Sequence, residues 1–407
     1  MSPSSPSHRI RVLLLFGGRS AEHDVSRVTA VAVAKALDPA RYEVLPVAIT
    51  TDGRWLFAAE AQRMIEQGPD ALPAALPVAG DPVSELGDLV ARGEHGAVDV
   101  DKNAVRSARG DGGFADRRSR SPNLRGRPSA LDADVVLPLL HGPYGEDGTV
   151  QGLLELAGLP YVGAGVVGSA VGMDKVMMKR AFAACGLPIA KYASFRDGHD
   201  RVAFAAQVEA EIGYPCFVKP ANLGSSVGVS KARDRASFDA ALDLALSFDE
   251  WAIVEEAIEG REVEVAVLGD DPPKASVPGE IVPGDDFYSY ADKYEREEAQ
   301  LLAPAPLEPE QTDDVRRLAV RAFEACRCEA MARVDFFLEE QCADGTQGRG
   351  FLVNEVNTIP GFTPISMYPR LWEESGLGYP ELLDRLIELA FARHERRAKR
   401  AGRQRDE

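Results

Sequence analysis

Between Arg333 and Met367 the chain sets Arg333, Asp335, Glu355 and Asn357 on two short apolar segments, ARVDFFL and GFLVNEVN. Each segment is apolar with acidic or amide residues at its ends, the pattern of neighbouring strands that carry chemistry at one edge. Two carboxylates and an amide oxygen suit Mg²⁺, because a hard divalent cation takes oxygen ligands and keeps its remaining positions for water and phosphate. Asn357 adds an oxygen without a charge that would repel a nucleotide. Glu355 and Asn357 are two residues apart in a strand, so their side chains share a face. Alone, this pattern reads equally as two solvated strand ends. The turn that follows, Thr358-Ile359-Pro360-Gly361-Phe362-Thr363, favours the chemical reading, since its backbone amides lie just beyond the acidic pair and suit an anion.

A second constellation is Gly224-Ser225-Ser226-Val227-Gly228, where two glycines let the backbone approach a ligand and two hydroxyls lie between them. No Gly-Lys-Ser/Thr opens a following helix, so this is not a Walker sequence. Phe217-Val218-Lys219-Pro220 precedes it and places an ammonium at a strand end beside an amide-lined flap, a plausible phosphate clamp. Lys175 offers a second cation, with a solvated helix position as its alternative.

These groups need elements to hold them. VLLLFGGRSAEHDVSRVTAVAVAKAL predicts a strand, a Gly-rich turn and an amphipathic helix, and YEVLPVAIT returns as a strand, a β-α-β unit. Ala133 to Leu140 predicts another strand, and TVQGLLELAGL a helix. A second unit carries a helix from Met173 to Gly186, a strand from Tyr214 to Pro220, a helix from Phe238 to Ser247 and the strand WAIVEEAI. A third holds the strand Glu262 to Leu268, the polar loop Asp285 to Glu298, a helix from Thr312 to Cys326 and the two acidic strands. The fold class is α/β (α+β), with units expected at 1–163, 164–254 and 255–400 and a basic tail at 401–407. The last residues, ARHERRAKRAGRQRDE, predict a frayed helix end. Residues 92–130 contain no Ile, a single aromatic (Phe114) and many Arg, Gly, Ser and Asp, too little apolar surface to offset chain entropy, and predict a disordered insertion.

The whole chain bounds the function. Its 407 residues suit two or three domains, and 45% hydrophobic with 27% charged residues is an ordinary soluble composition. No apolar run approaches the roughly 20 residues of a membrane span, and MSPSSPSHRI lacks the apolar core of a signal peptide. Five cysteines, an odd number without metal-type spacing, fit reduced thiols in a cytoplasmic protein. A net charge of -18 argues against general nucleic-acid binding, which needs a basic surface.

Taken together, Gly17 to Ser26, HGPYGEDGTVQGLLELAGLPYVG, Met173-Asp174-Lys175, VKPANLGSSVGV, EIVP before FYSYADKY, and ARVDFFL with NEVNTIPGFTPISMYP closely resemble the D-alanine:D-alanine ligases of the ATP-grasp superfamily. The resemblance covers nearly the whole chain apart from the N-terminal residues, the 92–130 segment and the tail. It implies a three-domain architecture with ATP held between two antiparallel sheets, and a reaction in which ATP phosphorylates the carboxylate of one D-alanine before the amine of a second displaces phosphate. It implies roles too. Lys175 and Lys219 would hold the phosphates under a flap around Ser226, with Glu255 and Glu262 on adenine and ribose. Asp335, Glu355 and Asn357 would bind Mg²⁺ or Mn²⁺, two ions bridged by Glu355. Arg333 and the Gly361 amide would donate to the tetrahedral oxyanion. Glu22 would receive the first ammonium, and His141 lies near that substrate. Lys293 and Ser366, with Met367, would receive the second substrate; Tyr294 and Ser225, linked to Glu22, would close the site. A homodimer is expected, with no nucleic-acid or membrane partner.

Three rival functions are weighed. A dinucleotide oxidoreductase could start from Gly17-Gly18, but G-x-G-x-x-G is missing and the acidic cluster would be left without purpose. Nucleic-acid binding rests on the Arg-rich segment alone. A D-alanine:D-lactate ligase is the closest rival; Tyr288, Lys293 and Tyr294 keep the pattern that resembles the dipeptide formers.

Overall fold

The computed structural model describes residues 9–20, 22–57, 61, 133–282, 300–342 and 345–400. The expected insertion at 92–130, the loop at 285–298 with Tyr288, Lys293 and Tyr294, and the tail at 401–407 lie outside the described residues.

Strand β1 (Ile10–Gly17) is buried from Val12 to Phe16, and a strand covered on both faces needs such an uninterrupted apolar run. It pairs in parallel with β2 (Tyr42–Ile49) and β4 (Val135–Pro138), while β3 (Trp55–Phe57) lies antiparallel to β2, giving the order β3-β2-β1-β4. Helix α1 (His23–Ala36) makes the β1–β2 crossover, and α2 (Thr149–Leu156) follows β4. Gly17 permits the sharp exit from β1: its φ is +89°, and a Cβ there would lie 2.2 Å from the carbonyl oxygen of Ile49.

Helix α4 (Lys175–Ala184) is the helix expected from Met173 to Gly186, two residues shorter at each end, and α3 (Val166–Met173), which was not read from the sequence, precedes it. The break is at Asp174, whose extended backbone and side-chain acceptor for the Met177 amide make it an N-cap. Lys175 is therefore the first residue of α4.

The second sheet contains β5 (Tyr192–Arg196), β6 (Cys216–Pro220), β7 (Ser230–Ala232) and β8 (Trp251–Glu256) in the order β5-β8-β6-β7, antiparallel throughout. Phe204 and Val208 of α5 (Arg201–Glu211) and Phe238 and Leu242 of α6 (Arg235–Leu246) share its core. The third sheet is also antiparallel: β9 (Arg261–Leu268), β10 (Lys274–Val282), β11 (Gln300–Leu302), β12 (Met331–Gln341) and β13 (Gln347–Asn357), in the order β11-β10-β9-β12-β13. Helix α7 (Pro309–Ala325) buries Val315, Leu318 and Phe323 in its core, together with Met178 and Phe182 of α4. The two antiparallel sheets are thus present, but β8 runs across the expected 254/255 division, and α4 packs with the third sheet.

Helices α8 (Met367–Glu374) and α9 (Tyr379–Ala398) close the described chain. Leu382, Leu386, Ile387 and Ala390 of α9 lie in one core with Val12, Leu14 and Phe16 of β1. The run from Ala392, expected as a frayed basic end, is helical to Ala398. Its arginines have specific partners: Arg393, 3% exposed, donates to the carbonyls of Tyr161 and Gly163, and Arg397 pairs with Glu155 and Glu329.

Candidate active site

Strands β9, β12 and β13 bring the acidic residues together. Arg333 stands opposite Asn357 and Asp335 opposite Glu355 across β12–β13, with a register shift immediately after Asp335. On the other side Asp335 faces Glu264 of β9. Period-2 alternation then places Arg333, Asp335, Glu355 and Asn357 on one sheet face. Arg333 donates through Nε and Nη2 to the two Asp335 oxygens at 2.7 and 2.8 Å, and its Nε lies 3.1 Å from Glu264. The Asn357 amide donates to Asp335 Oδ2 at 2.8 Å, which leaves its carbonyl oxygen as the acceptor of the group. Burial opposes the Arg333 charge, but Asp335 and Glu264 outweigh it and raise the guanidinium pKa further. Arg333, expected as an oxyanion donor, is here the internal counter-ion of two carboxylates. Glu264 was not singled out in the sequence, although its place two residues after Glu262 in REVEVAVL puts both on one face.

Lysines and a carboxylate form the neighbouring layer. Lys219 on β6 lies 2.5 Å from Glu255 Oε2, and Lys179 on α4 lies 2.7 Å from Glu255 Oε1. Glu255 is 4% exposed and Lys179 1%. Burial alone would raise the Glu255 pKa, but Lys179 and Lys219 overcome it and hold the carboxyl far below its usual range. Glu255, expected at adenine, therefore has both oxygens beside ammonium groups. Lys179 went unnoticed because a lysine four residues into a helix ordinarily signals a solvated face. Glu262 is half-buried on β9, between Ile281 and Phe337. Lys175 donates from Nζ to the Leu223 carbonyl at 2.5 Å, and its backbone amide bonds Ala221. Burial lowers its pKa, against a raising contribution from Glu355.

The small-residue loop joins this layer to the first sheet. Asn222 is tied down by Asp249, which accepts from its amide at 2.7 Å. Ser225 and Ser226 both have positive φ, 52° and 59°, a left-handed backbone that costs non-glycine residues about 1–2 kcal/mol each. A Cβ on Gly224 would sit 3.7 Å from Glu22 Oε2 and 4.0 Å from Glu146 Oε1, so the loop backbone lies against both carboxylates. Glu22 immediately precedes α1. Glu146 was quoted in the sequence motif without a role. It is 9% exposed and accepts the Gly142 amide at 2.8 Å. Burial, then the nearby Glu22, pushes its carboxyl up to about 8.

His141, just beyond β4, is 5% exposed, and its Nδ1 meets the Ile359 carbonyl at 3.0 Å. Its buried Nε2 has no hydrogen-bond partner among the described residues, as expected of an atom that a substrate would satisfy. Ile359 belongs to the turn that carries Gly361. There Ser366 Oγ accepts the Thr363 amide at 3.1 Å, and a Cβ on Gly361 would lie 3.2 Å from it. The Met367 side chain, 5% exposed, lies in the core, its sulfur 2.7 Å from where a Gly279 Cβ would be. That leaves its backbone amide, at the first turn of α8, for any ligand. Lys293 and Tyr294 lie outside the described residues.

Two family models match this chain: D-ala D-ala ligase N-terminus over residues 11–164 and D-ala D-ala ligase C-terminus over residues 181–388. It is 46% identical to a D-alanine–D-alanine ligase of Streptomyces griseus, covering 96% of this chain and 95% of that one, and 45% identical to that of Bacillus licheniformis, covering 95% and 97%. Among solved structures it is similar to the D-alanine-D-alanine ligase from Coxiella burnetii (TM-score 0.71, 33% identity, 96% of each chain). It is also similar to the VanG D-Ala:D-Ser ligase from Enterococcus faecalis (TM-score 0.73, 31% identity, 94% of this chain and all of that one).

Proposed function

Because the chain belongs to the D-ala D-ala ligase family, we propose that it joins two D-alanine molecules into D-alanyl-D-alanine at the expense of ATP, for peptidoglycan synthesis. A carboxylate is a poor electrophile. A carboxylate oxygen of the first D-alanine attacks the γ-phosphorus, ADP leaves, and the acyl phosphate formed carries a good leaving group. The amine of the second D-alanine then attacks the carbonyl carbon, loses a proton, and phosphate departs from the tetrahedral intermediate.

The observation that carries this reading is the convergence of three regions of the chain. Lys175, bonded to the Leu223 carbonyl, feels Glu355 of the third sheet, Lys219 and Glu255 of the second and Glu146 beside the first, and the Gly224 backbone lies against Glu22 and Glu146. Lys175 and Lys219 hold the phosphates, Ser226 covers them, and Glu255 and Glu262 take adenine and ribose. Glu22 receives the first ammonium beside His141. Arg333 turns from Asp335 to the developing oxyanion with the Gly361 amide, a type of contact worth about 3–4 kcal/mol. Ser366 and the Met367 amide, with Lys293, take the second carboxylate, while Ser225 and Tyr294 close the site and keep water from the acyl phosphate. The donor set of Asp335, Glu355 and Asn357 is all oxygen and fits Mg²⁺ or Mn²⁺; these residues would hold such ions, which would neutralise charge on the phosphates. Among the described residues no helix is long and apolar enough to cross a membrane; a cytoplasmic location is part of the proposal. A homodimer is part of the proposal, and sedimentation velocity tests it.

ATP-dependent phosphate release with D-alanine, with mass spectrometry of the product, tests the reading; ATP turnover that requires no D-alanine would refute it. The similarity to a D-Ala:D-Ser ligase gives a second reading, in which D-serine replaces the second D-alanine. D-lactate is a third acceptor for the same assay.

A further inference from the structure

Glu255 sits between two lysines of different surroundings. Lys219 is at the end of β6 and is the more exposed of the two, with 14% of its side chain accessible against 2% for Lys179. Lys179 is one helical turn from Lys175 on α4, and its Nζ also lies 3.4 Å from the Val353 carbonyl of β13. It therefore ties α4 and the third sheet to β8. Its Nζ lies 2.7 Å from Glu255 Oε1, and Lys219 lies beside the other oxygen, Oε2.

We propose that Lys179 is a positioning residue for the nucleotide: it stays with Glu255 as resident counter-ion while Lys219 leaves Glu255 for the ATP phosphates. This rests on the reading above, in which Lys219 binds phosphate. The three side chains carry one net positive charge. When Lys219 turns to the nucleotide, Glu255 remains buried, and a buried carboxylate without a cation is strongly disfavoured. Lys179 supplies that cation from a position too enclosed to reach solvent. The departing Lys219 then brings its full charge to the phosphates, and Glu255 stays ionised, with Oε2, the oxygen Lys219 leaves, able to accept from a donor such as an exocyclic amine.

Without Lys179, Glu255 and Lys219 form a neutral pair that ATP must break. Lys179→Met should therefore raise the KM for ATP at least tenfold and leave both D-alanine KM values within about threefold. Adding Glu255→Gln removes the charge that traps Lys219, so the double variant should have the ATP KM of Glu255→Gln alone. A purely structural Lys179 would give penalties that add. If Lys179→Met does not fold, the double variant, which contains no orphaned buried charge, carries the test against Glu255→Gln. An unchanged ATP KM in Lys179→Met, equal losses for ATP and D-alanine, or a double variant tenfold worse than Glu255→Gln would each overturn the proposal. The wild-type protein separates this from the reading beneath it: if it makes no D-alanyl-D-alanine, that reading fails; if it does and Lys179→Met keeps its ATP KM, only the counter-ion role fails.

Discussion

Replacing Glu146 by Gln should change the pH dependence of stability in a defined direction. In the folded protein the Glu146 carboxyl is raised from its ordinary 4.5 to about 8, by burial and then by Glu22, against the amides of Gly142 and Ile359 and the charge of Lys175. Between these two values the folded state holds a proton that the unfolded chain has released, so stability falls as pH rises through the window and the loss is complete above about 8. At about 1.4 kcal/mol for each pH unit crossed, the loss is on the order of 5 kcal/mol. Glutamine has nearly the same shape and keeps an oxygen for the Gly142 amide, but it carries no charge at any pH. The ligand-free Glu146→Gln variant should therefore melt close to wild type at pH 5 and roughly 5–10 °C above it at pH 9. Thermal unfolding of both proteins followed by circular dichroism at half-unit pH steps measures the difference. Other titrating groups are common to both proteins and cancel. Parallel melting curves from pH 5 to 9 would refute the reasoning, and so would a gap that widens toward low pH.

Glu355→Gln should lower turnover by about a hundredfold or more while the circular dichroism spectrum is unchanged, because a bridging carboxylate charge is lost at the phosphates; steady-state phosphate release decides this, and near-normal Mg²⁺-dependent turnover would remove Glu355 from the site. The loop at 222–228, with Ser225 and Ser226 both left-handed, should show amide exchange slowed at least tenfold when ATP and a D-alanine phosphinate analogue bind. Exchange that does not respond to ligand would count against its role as a cover. In an equal mixture of D-alanine and D-lactate acceptors, D-alanyl-D-alanine should be the main product at pH 7 to 8, with depsipeptide appearing only at lower pH, where the free amine is scarcer; mass spectrometry across pH reads the ratio.

Where side chains follow strand periodicity, the site was legible before any coordinates. The pairing of Arg333, Asp335, Glu355 and Asn357 follows from two apolar segments and a two-residue spacing, and the structure places them opposite one another. The β-α-β opening was equally visible, because continuous apolar runs report burial directly, whereas the two antiparallel sheets were expected only from the family resemblance, and β5, β7, β10 and β11 were not read from the residues. What escaped depends on contacts between distant segments. Lys179 looks like any surface lysine until α4 is laid against β8 and β13. Helix α3 escaped because Val166 to Met173 is short and holds two glycines, and a single capping residue, Asp174, decides where α4 begins. Arg393 and Arg397 looked like a solvated tail because nothing in a basic run announces carbonyls at Tyr161 and Gly163 or carboxylates at Glu155 and Glu329.

The core shared by β1 and α9 has a consequence for how the chain is made. Val12, Leu14 and Phe16 share their core with Leu382, Leu386 and Ile387, which the ribosome adds only after all the intervening elements. During synthesis β1 has to wait, with part of its apolar surface uncovered, until α9 has been translated. That interval exposes it to association with other nascent chains. Truncation within α9 therefore strands the first sheet as well as shortening the last domain, and a fragment that carries only the N-terminal unit would be a ready substrate for chaperones.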